Sequence, residues 1–133
     1  MIDIIYPSRR KVHMVRTQKI GTKSVIIVDV ENMKSEQTQD IVQTLREASA
    51  LVAKQPEKSV YIITIVTSVK FNNDISSAFK QYASANTKYV KESVLVGLSG
   101  LQTVVFSAIK ALTKRDYHLV GTLEEAMKLM ETL

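Results

Sequence analysis

The sequence predicts an α/β domain with a mostly parallel central sheet, and three observations carry this prediction. Apolar runs typical of strands alternate with stretches in which apolar residues recur at helical spacing. Two strands separated by a short glycine-containing loop come first and predict an antiparallel hairpin. The 133 residues fit one domain, residues 1–133, and 45% hydrophobic with 23% charged residues permit a packed core. The predicted order is β-β-α-β-α-β-α-β-α.

The hairpin is the first predicted unit. Residues 1–10 are expected to form an N-terminal arm or edge strand. Residues 11–16 alternate in polarity as a half-buried strand does, and the turn is placed at residues 18–23. Residues 24–30 follow as a nearly continuous apolar strand. This pair predicts an antiparallel edge on the sheet.

Four helices and three further strands follow. The strands are predicted at residues 59–67, 93–97 and 117–120, the first of them central and covered on both faces. Ser35 is expected to cap the first helix and Pro56 to end it. Capping boxes are predicted at residues 99–102 and 122–125. The apolar stripes of the four helices are, in order, Ile41, Leu45, Ala48 and Val52; Ile75, Phe79, Tyr82 and Ala83; Leu101, Val104, Val105, Ala108 and Leu112; and Leu123, Ala126, Met127 and Met130.

The composition and charge of the chain exclude several kinds of functional site and partner. The chain has no cysteine, which excludes disulfides, thiolate metal sites and cysteine nucleophiles. The net charge is +5, but the basic cluster Arg9–Lys11 lacks accompanying aromatic residues, so no nucleic-acid partner is predicted. The start does not resemble a signal peptide and no apolar run reaches the roughly 20 residues of a membrane span, so the expected location is cytoplasmic.

The sequence contains no recognisable catalytic constellation. His13 and His118 are the only histidines, they fall on different predicted strands, and neither has metal-ligand spacing. Asp29 is interpreted as a strand-end residue rather than a phosphoacceptor. We therefore expect a protein that is not an enzyme and that has no metal and no cofactor.

Two loops are candidate sites. Gly97, Ser99 and Gly100 lie between a strand and a helix, where free backbone N–H groups suit an anion or ligand, although a tight turn with a capping box accounts for the same residues. The second loop begins the next helix upstream and can bind a partner or receive a phosphate; equally, its residues can be ordinary first-turn residues. Its candidates are Phe71, Asn72, Asn73, Asp74, Ser76 and Ser77.

Five segments resemble the STAS superfamily, whose fold is related to that of SEC14 lipid-binding domains. They are Val28–Asn32, Pro56–Tyr61, Thr67–Asn72, Tyr89–Leu101 and Thr122–Ala126, and the strand-turn-helix block Tyr89–Leu101 is the most specific. The chain is most similar to small stand-alone bacterial proteins akin to the sporulation anti-sigma-factor antagonist. It lacks the tryptophan that commonly follows the last segment in such proteins.

The resemblance implies a regulatory protein-interaction module that binds a kinase or a sigma-regulator-like protein. In anti-sigma-factor antagonists the loop after the central strand holds an Asp-Ser-Ser-Gly motif in which a serine is phosphorylated. Here Asp74–Ala78 lacks the adjacent Asp-Ser and the glycine. The alternative function, implied by the SEC14 relationship, is a carrier or sensor of a small apolar or anionic ligand, which requires a sizeable pocket.

Overall fold

The computed structural model describes residues 14–133, and within them a five-stranded sheet is combined with four helices. The order of strands and helices is the predicted one. The N-terminal arm, residues 1–10, and His13 lie outside the described residues. The strands are β1 Val15–Ile20, β2 Lys23–Asp29, β3 Val60–Ile65, β4 Val90–Val96 and β5 His118–Val120; the helices are α1 Thr38–Val52, α2 Asn73–Asn86, α3 Leu101–Thr113 and α4 Leu123–Thr132.

The sheet order follows the chain, β1-β2-β3-β4-β5, with β1 antiparallel to β2 and all other neighbours parallel. Strand β3 is therefore central, as predicted. Right-handed crossovers between successive parallel strands place the connecting helices α1, α2 and α3 on one face. Helix α4, which follows the last strand, covers the other face. In the part of the chain that the structure describes, no helix is long and apolar enough to cross a bilayer.

Each face of the sheet has its own apolar core. On the three-helix face, Ile62 and Leu95 pack with residues of α1, α2 and α3. On the other face, Ile63 and Val94 pack with Ala126 and Met130 of α4. The side-chain period of two in the strands explains why neighbouring residues enter different cores. The predicted stripes of α1 and α2 are buried throughout, and that of α4 is buried or half-buried.

Two local predictions at the start of the chain are wrong. Gln18 and Lys19 belong to β1 rather than to the turn, because the two residues Gly21 and Thr22 suffice to connect the strands, with Gly21 at φ +63°. Ser35 does not cap α1. It begins a short 3-10 turn, and its carbonyl accepts a hydrogen bond from the Thr38 hydroxyl at 2.6 Å.

The predicted apolar stripe of α3 is also wrong, and this difference matters for function. Leu101, Val104 and Leu112 are 73%, 68% and 62% exposed. Ala108 is exposed as well, and only Val105 of the predicted set is half-buried. The residues that face the core are Gln102, Phe106 and Ile109. The helix is thus rotated by about 100°, one residue, relative to the prediction.

Candidate functional site at the carboxyl edge of the sheet

The loops that follow β2, β3 and β4 meet at the carboxyl edge of the sheet, around Thr67. The backbone N–H of Asn32 donates to the Thr67 carbonyl at 2.8 Å. Gly97 lies against Thr67 from the other side, so closely that a Cβ on Gly97 would be 2.8 Å from the Thr67 Cα and would overlap its Oγ1. Only glycine fits there without a shift of backbone. The three loops therefore form one continuous surface.

Hydrogen bonds of the Gln102 side chain connect the β4–α3 loop to the β3–α2 loop. Its side chain is 5% exposed, and its Nε2 donates to the carbonyl of Val66 at 3.0 Å and also to that of Val69. Its Oε1 accepts from the Ser99 N–H at 3.0 Å. A buried amide with all these partners is a rigid connection, because leaving any of them unpaired costs free energy.

The capping box predicted at Ser99 is only half formed. The glutamine reaches back to the Ser99 N–H as expected, but the Gln102 N–H donates to the Ser99 carbonyl instead of the hydroxyl. The residue at the N-cap position is Gly100, with φ +55° and ψ −129°, a conformation that glycine alone adopts readily. The second box is formed at Thr122, whose hydroxyl accepts from the Glu125 N–H at 3.2 Å.

The loop before α2 provides a side-chain N-cap for that helix. The side chain of Asn72 accepts from the Ile75 N–H at 2.8 Å and donates to the Thr38 hydroxyl at 3.1 Å. Phe71 is half-buried and stacks on Phe79, with ring centroids 5.0 Å apart and an interplanar angle of 8°. It also contacts Phe106 of α3 at 6.2 Å between centroids. Phe71 is therefore part of the core as well as of the loop.

The remaining candidates of this loop differ in their exposure. Asn73 and Asp74 are exposed in the first turn of α2, and Ser77 is exposed one turn further. Ser76 is half-buried, and its N–H donates to the Asn72 carbonyl at 2.9 Å. Of the two serines, Ser77 is the more exposed. The structure brings this loop beside the Gly97–Gly100 turn through Gln102 and the Phe71–Phe106 contact.

The sequence identified both loops but missed Thr67 and the Gln102 bridge between them. Gln102 was predicted only as a local cap, and no spacing rule connects it to carbonyls 33 and 36 residues earlier. The one available signal is a glutamine at a position that helical periodicity places next to buried residues. Contacts of this kind follow from the sheet order rather than from local sequence.

Three titratable groups that could belong to a site, His118, Glu92 and Asp29, have structural partners. His118 and Glu92 form a half-buried pair with Nε2 and Oε1 at 3.0 Å. The Asp29 carboxylate accepts from the Glu31 N–H at 2.9 Å, as expected of a strand-end residue. Among residues 14–133 no three histidine, aspartate or glutamate side chains converge on a metal site.

A small cavity lies inside the three-helix face, with mostly apolar walls and a few hydroxyl groups. The hydroxyls of Tyr82 and Thr64 are 2.9 Å apart there, and burial raises the pKa of Tyr82 well above its ordinary value. The Arg115 guanidinium donates to the Tyr117 hydroxyl at 2.9 Å. The cavity volume is about 10 Å³, which is at the lower limit of what one water molecule needs.

A larger groove opens at the opposite, amino edge of the sheet. Its volume is about 330 Å³, and Lys23, Leu51, Gln55 and Tyr61 contribute to its walls. The ammonium group of Lys23 lies 5.5 Å from the centre of the Tyr61 ring, and that of Lys91 lies 5.8 Å from it. Gly97, Ser99 and Gly100 do not line this groove. The turn that was predicted to bind a ligand and the groove large enough to hold one are at different edges.

Comparisons of the chain with protein-family models, with curated proteins and with solved structures found no significant match.

Proposed function

We propose that the protein is a regulatory protein-interaction module of the anti-sigma-factor-antagonist type, which binds its partner at the carboxyl edge of the sheet. The observation that carries this proposal is the Gln102 bridge, which joins the two candidate loops into one surface. Asn73 and Asp74 are exposed in the first turn of α2, directly after the bridged loop, and Ser77 is exposed one turn further along the helix. A preorganised surface loses little entropy when a partner binds.

A phosphate on Ser77 is the proposed switch. Ser77 is exposed one turn into α2, where a phosphate would add a dianion to the outer side of the helix. The neighbouring carboxylate of Asp74 already occupies the first turn, so a phosphate would add a second negative group to a partner surface. Asp74–Ala78 resembles the segment that holds the phosphorylated serine in STAS proteins, although it lacks their adjacent Asp-Ser and the glycine.

The test combines native mass spectrometry with phosphopeptide mapping of the protein isolated from its own cells. We expect a phosphate on Ser77, or a bound protein whose affinity falls when Ser77→Asp is introduced. Ser84→Asp is the matched control, because Ser84 is exposed on the same helix but lies near its other end. Equal affinity of both variants and wild type for the bound protein, with no phosphate on Ser77, would refute the proposal.

The alternative, a carrier or sensor of a small anionic ligand, is favoured by the groove at the amino edge. Its volume is at the lower end of the range of ligand pockets, about 300–1,000 Å³. Lys23 and Tyr61 supply a cation and an apolar face. Titration with inorganic phosphate, followed by NMR, should shift the Lys23 and Tyr61 amides if this function is correct, and Lys23→Gln should abolish the shifts.

A further inference from the structure

We infer that strand β5 is a dimerisation surface, at which two copies of the chain pair their β5 strands antiparallel across a two-fold axis. The partner is therefore a second copy of this chain. The surface, which we call the β5 edge, consists of residues 117–121. The inference goes beyond the proposed function, because the β5 edge contains no residue of the two candidate loops.

The backbone of the β5 edge is arranged for one more strand. Within residues 14–133, no strand pairs with the outer side of β5. The Val120 carbonyl accepts a hydrogen bond from the Gly97 N–H at 2.9 Å, so the backbone groups of Val120 face β4. Because these groups alternate in direction along a strand, the N–H and C=O of Leu119 point away from the sheet. In an antiparallel pair centred on Leu119, the two copies of this residue exchange both hydrogen bonds.

The side chain of Leu119 adds apolar surface to the same place. It is 60% exposed, and its register with Leu95 of β4 places it on the three-helix side of the sheet. There it adjoins a groove of about 200 Å³ between β5 and α3, whose apolar walls include Phe106 and Tyr117. In the antiparallel pair, the two Leu119 side chains lie side by side on one face of the joined sheets. Each is then shielded from water by the other, which favours association.

The charges on either side of β5 select a second copy in the antiparallel orientation. Residues 110–116, which precede β5, contain three basic residues and one acid. Residues 121–125, which follow it, contain two glutamates and no basic residue, and the Glu125 carboxylate accepts from the Gly121 N–H at 3.2 Å. Antiparallel pairing places the basic end of each copy beside the acidic end of the other, whereas parallel pairing would place like charges together. The β5 edge is therefore complementary to itself, as a two-fold interface requires.

The two edges of the sheet differ in their protection against association. At the other edge, β1 carries the charged residues Arg16 and Lys19. Charged side chains on edge strands are a common means of preventing edge-to-edge pairing. Residues 117–121 contain no lysine, arginine, aspartate or glutamate. The β5 edge lacks this protection, as expected of an edge that is paired in the functional protein.

The first test is a cysteine cross-link, which is specific because the chain has no cysteine of its own. The Cα atoms of a hydrogen-bonded antiparallel pair are about 5.5 Å apart, which a disulfide can span. We expect Leu119→Cys to form a covalent dimer on mild oxidation of the dilute protein. Leu101→Cys is the matched control, since Leu101 is 73% exposed but lies on α3. Failure of Leu119→Cys to cross-link, or equal cross-linking of both variants, would overturn the inference.

Sedimentation of the unmodified chain tests the same surface without a covalent bond. We expect a monomer–dimer equilibrium whose dissociation constant rises at least about tenfold in Leu119→Lys and stays unchanged in Leu101→Lys. Ser77→Asp should also leave it unchanged, which separates this test from that of the proposed switch. A monomer at every concentration, or a dimer that Leu119→Lys leaves intact, would show that β5 does not pair.

A charge exchange tests the orientation of the two copies. Glu124→Lys should weaken the dimer, because it places a cation beside the basic end of the partner. Adding Lys114→Glu to the same chain should restore the dimer, since the two altered ends then face each other with opposite charges. Loss of the dimer in Glu124→Lys without recovery in the double variant would contradict the antiparallel arrangement.

Discussion

Helices α2 and α3 are neighbours on the same face of the sheet, and both have an apolar row at helical spacing. In α2 the row is buried, with Ile75 and Phe79 fully inaccessible. In α3 the most regular row faces outward, and the buried side is assembled from Gln102, Phe106 and Ile109. The difference is that tertiary partners fix the rotation of α3: Gln102 binds the carbonyls of the β3–α2 loop and Phe106 joins an aromatic cluster.

The largest expected difference between the two helices is in the free energy of unfolding that is lost when an apolar side chain is replaced by alanine. Phe79 contacts the rings of Phe71, Tyr82 and Phe106, with centroids 5.0 to 6.1 Å away. We expect Phe79→Ala to lower the free energy of unfolding by about 3–5 kcal/mol, since it leaves a cavity. Leu112→Ala should change it by less than about 0.5 kcal/mol, because that side chain is mostly in solvent.

Urea denaturation of the two variants checks this prediction. A loss above about 2 kcal/mol for Leu112→Ala would mean that this side chain is packed against something in the isolated protein, which would contradict its exposed position.

The same contrast shows how much of the structure could be predicted from the sequence. Several features could be predicted, because local periodicity and capping chemistry determine them. They are the order of strands and helices, the buried rows of α1 and α2, the half-buried to buried row of α4, and the helix start at Asn72. The rotation of α3 could not be predicted. Apolar residues occupy more than half of its circumference, so periodicity permits several orientations, and the distant contacts of Gln102 and Phe106 select one. The surface formed by the two candidate loops depends on the same long-range contacts.

The turn that leads into α3 provides the next prediction. Gly97 has φ +82° and no room for a Cβ, whereas Gly21 has φ +63° and nothing within 4 Å of its Cβ position. Gly97→Ala should therefore cost about 2–4 kcal/mol, from strain and overlap together. Gly21→Ala should cost about 1–2 kcal/mol, from the backbone conformation alone. Thermal denaturation of both proteins measures the difference, and equal losses would contradict the close contact between Gly97 and Thr67.

A smaller effect is expected from removing the polar anchor of α3. Gln102→Met keeps the length of the side chain but removes the donors to Val66 and Val69, and we expect a loss of about 1–3 kcal/mol. Gln39→Met, at an exposed position of α1, should be neutral within about 0.5 kcal/mol. The Ser99 N–H donates a hydrogen bond to the Gln102 side chain. Its hydrogen exchange should therefore accelerate in Gln102→Met but not in Gln39→Met. An unchanged exchange rate would show that the helix is positioned without this glutamine.

The smallest expected effect concerns the helix N-termini. Helix α2 begins with the Asn72 cap and has Asp74 in its first turn, whereas α3 begins at Gly100 without a side-chain cap and has no acid there. Thr103 is exposed at the third position of α3, so Thr103→Glu adds a charge that the helix dipole favours. We expect this variant to be more stable than Thr103→Gln, its neutral counterpart, by about 0.3–1 kcal/mol at low salt. Raising the salt concentration should remove the difference, since the interaction is exposed and screened. A difference that persists in high salt would show that the glutamate gains its stability from a local contact rather than from the dipole of an uncapped helix.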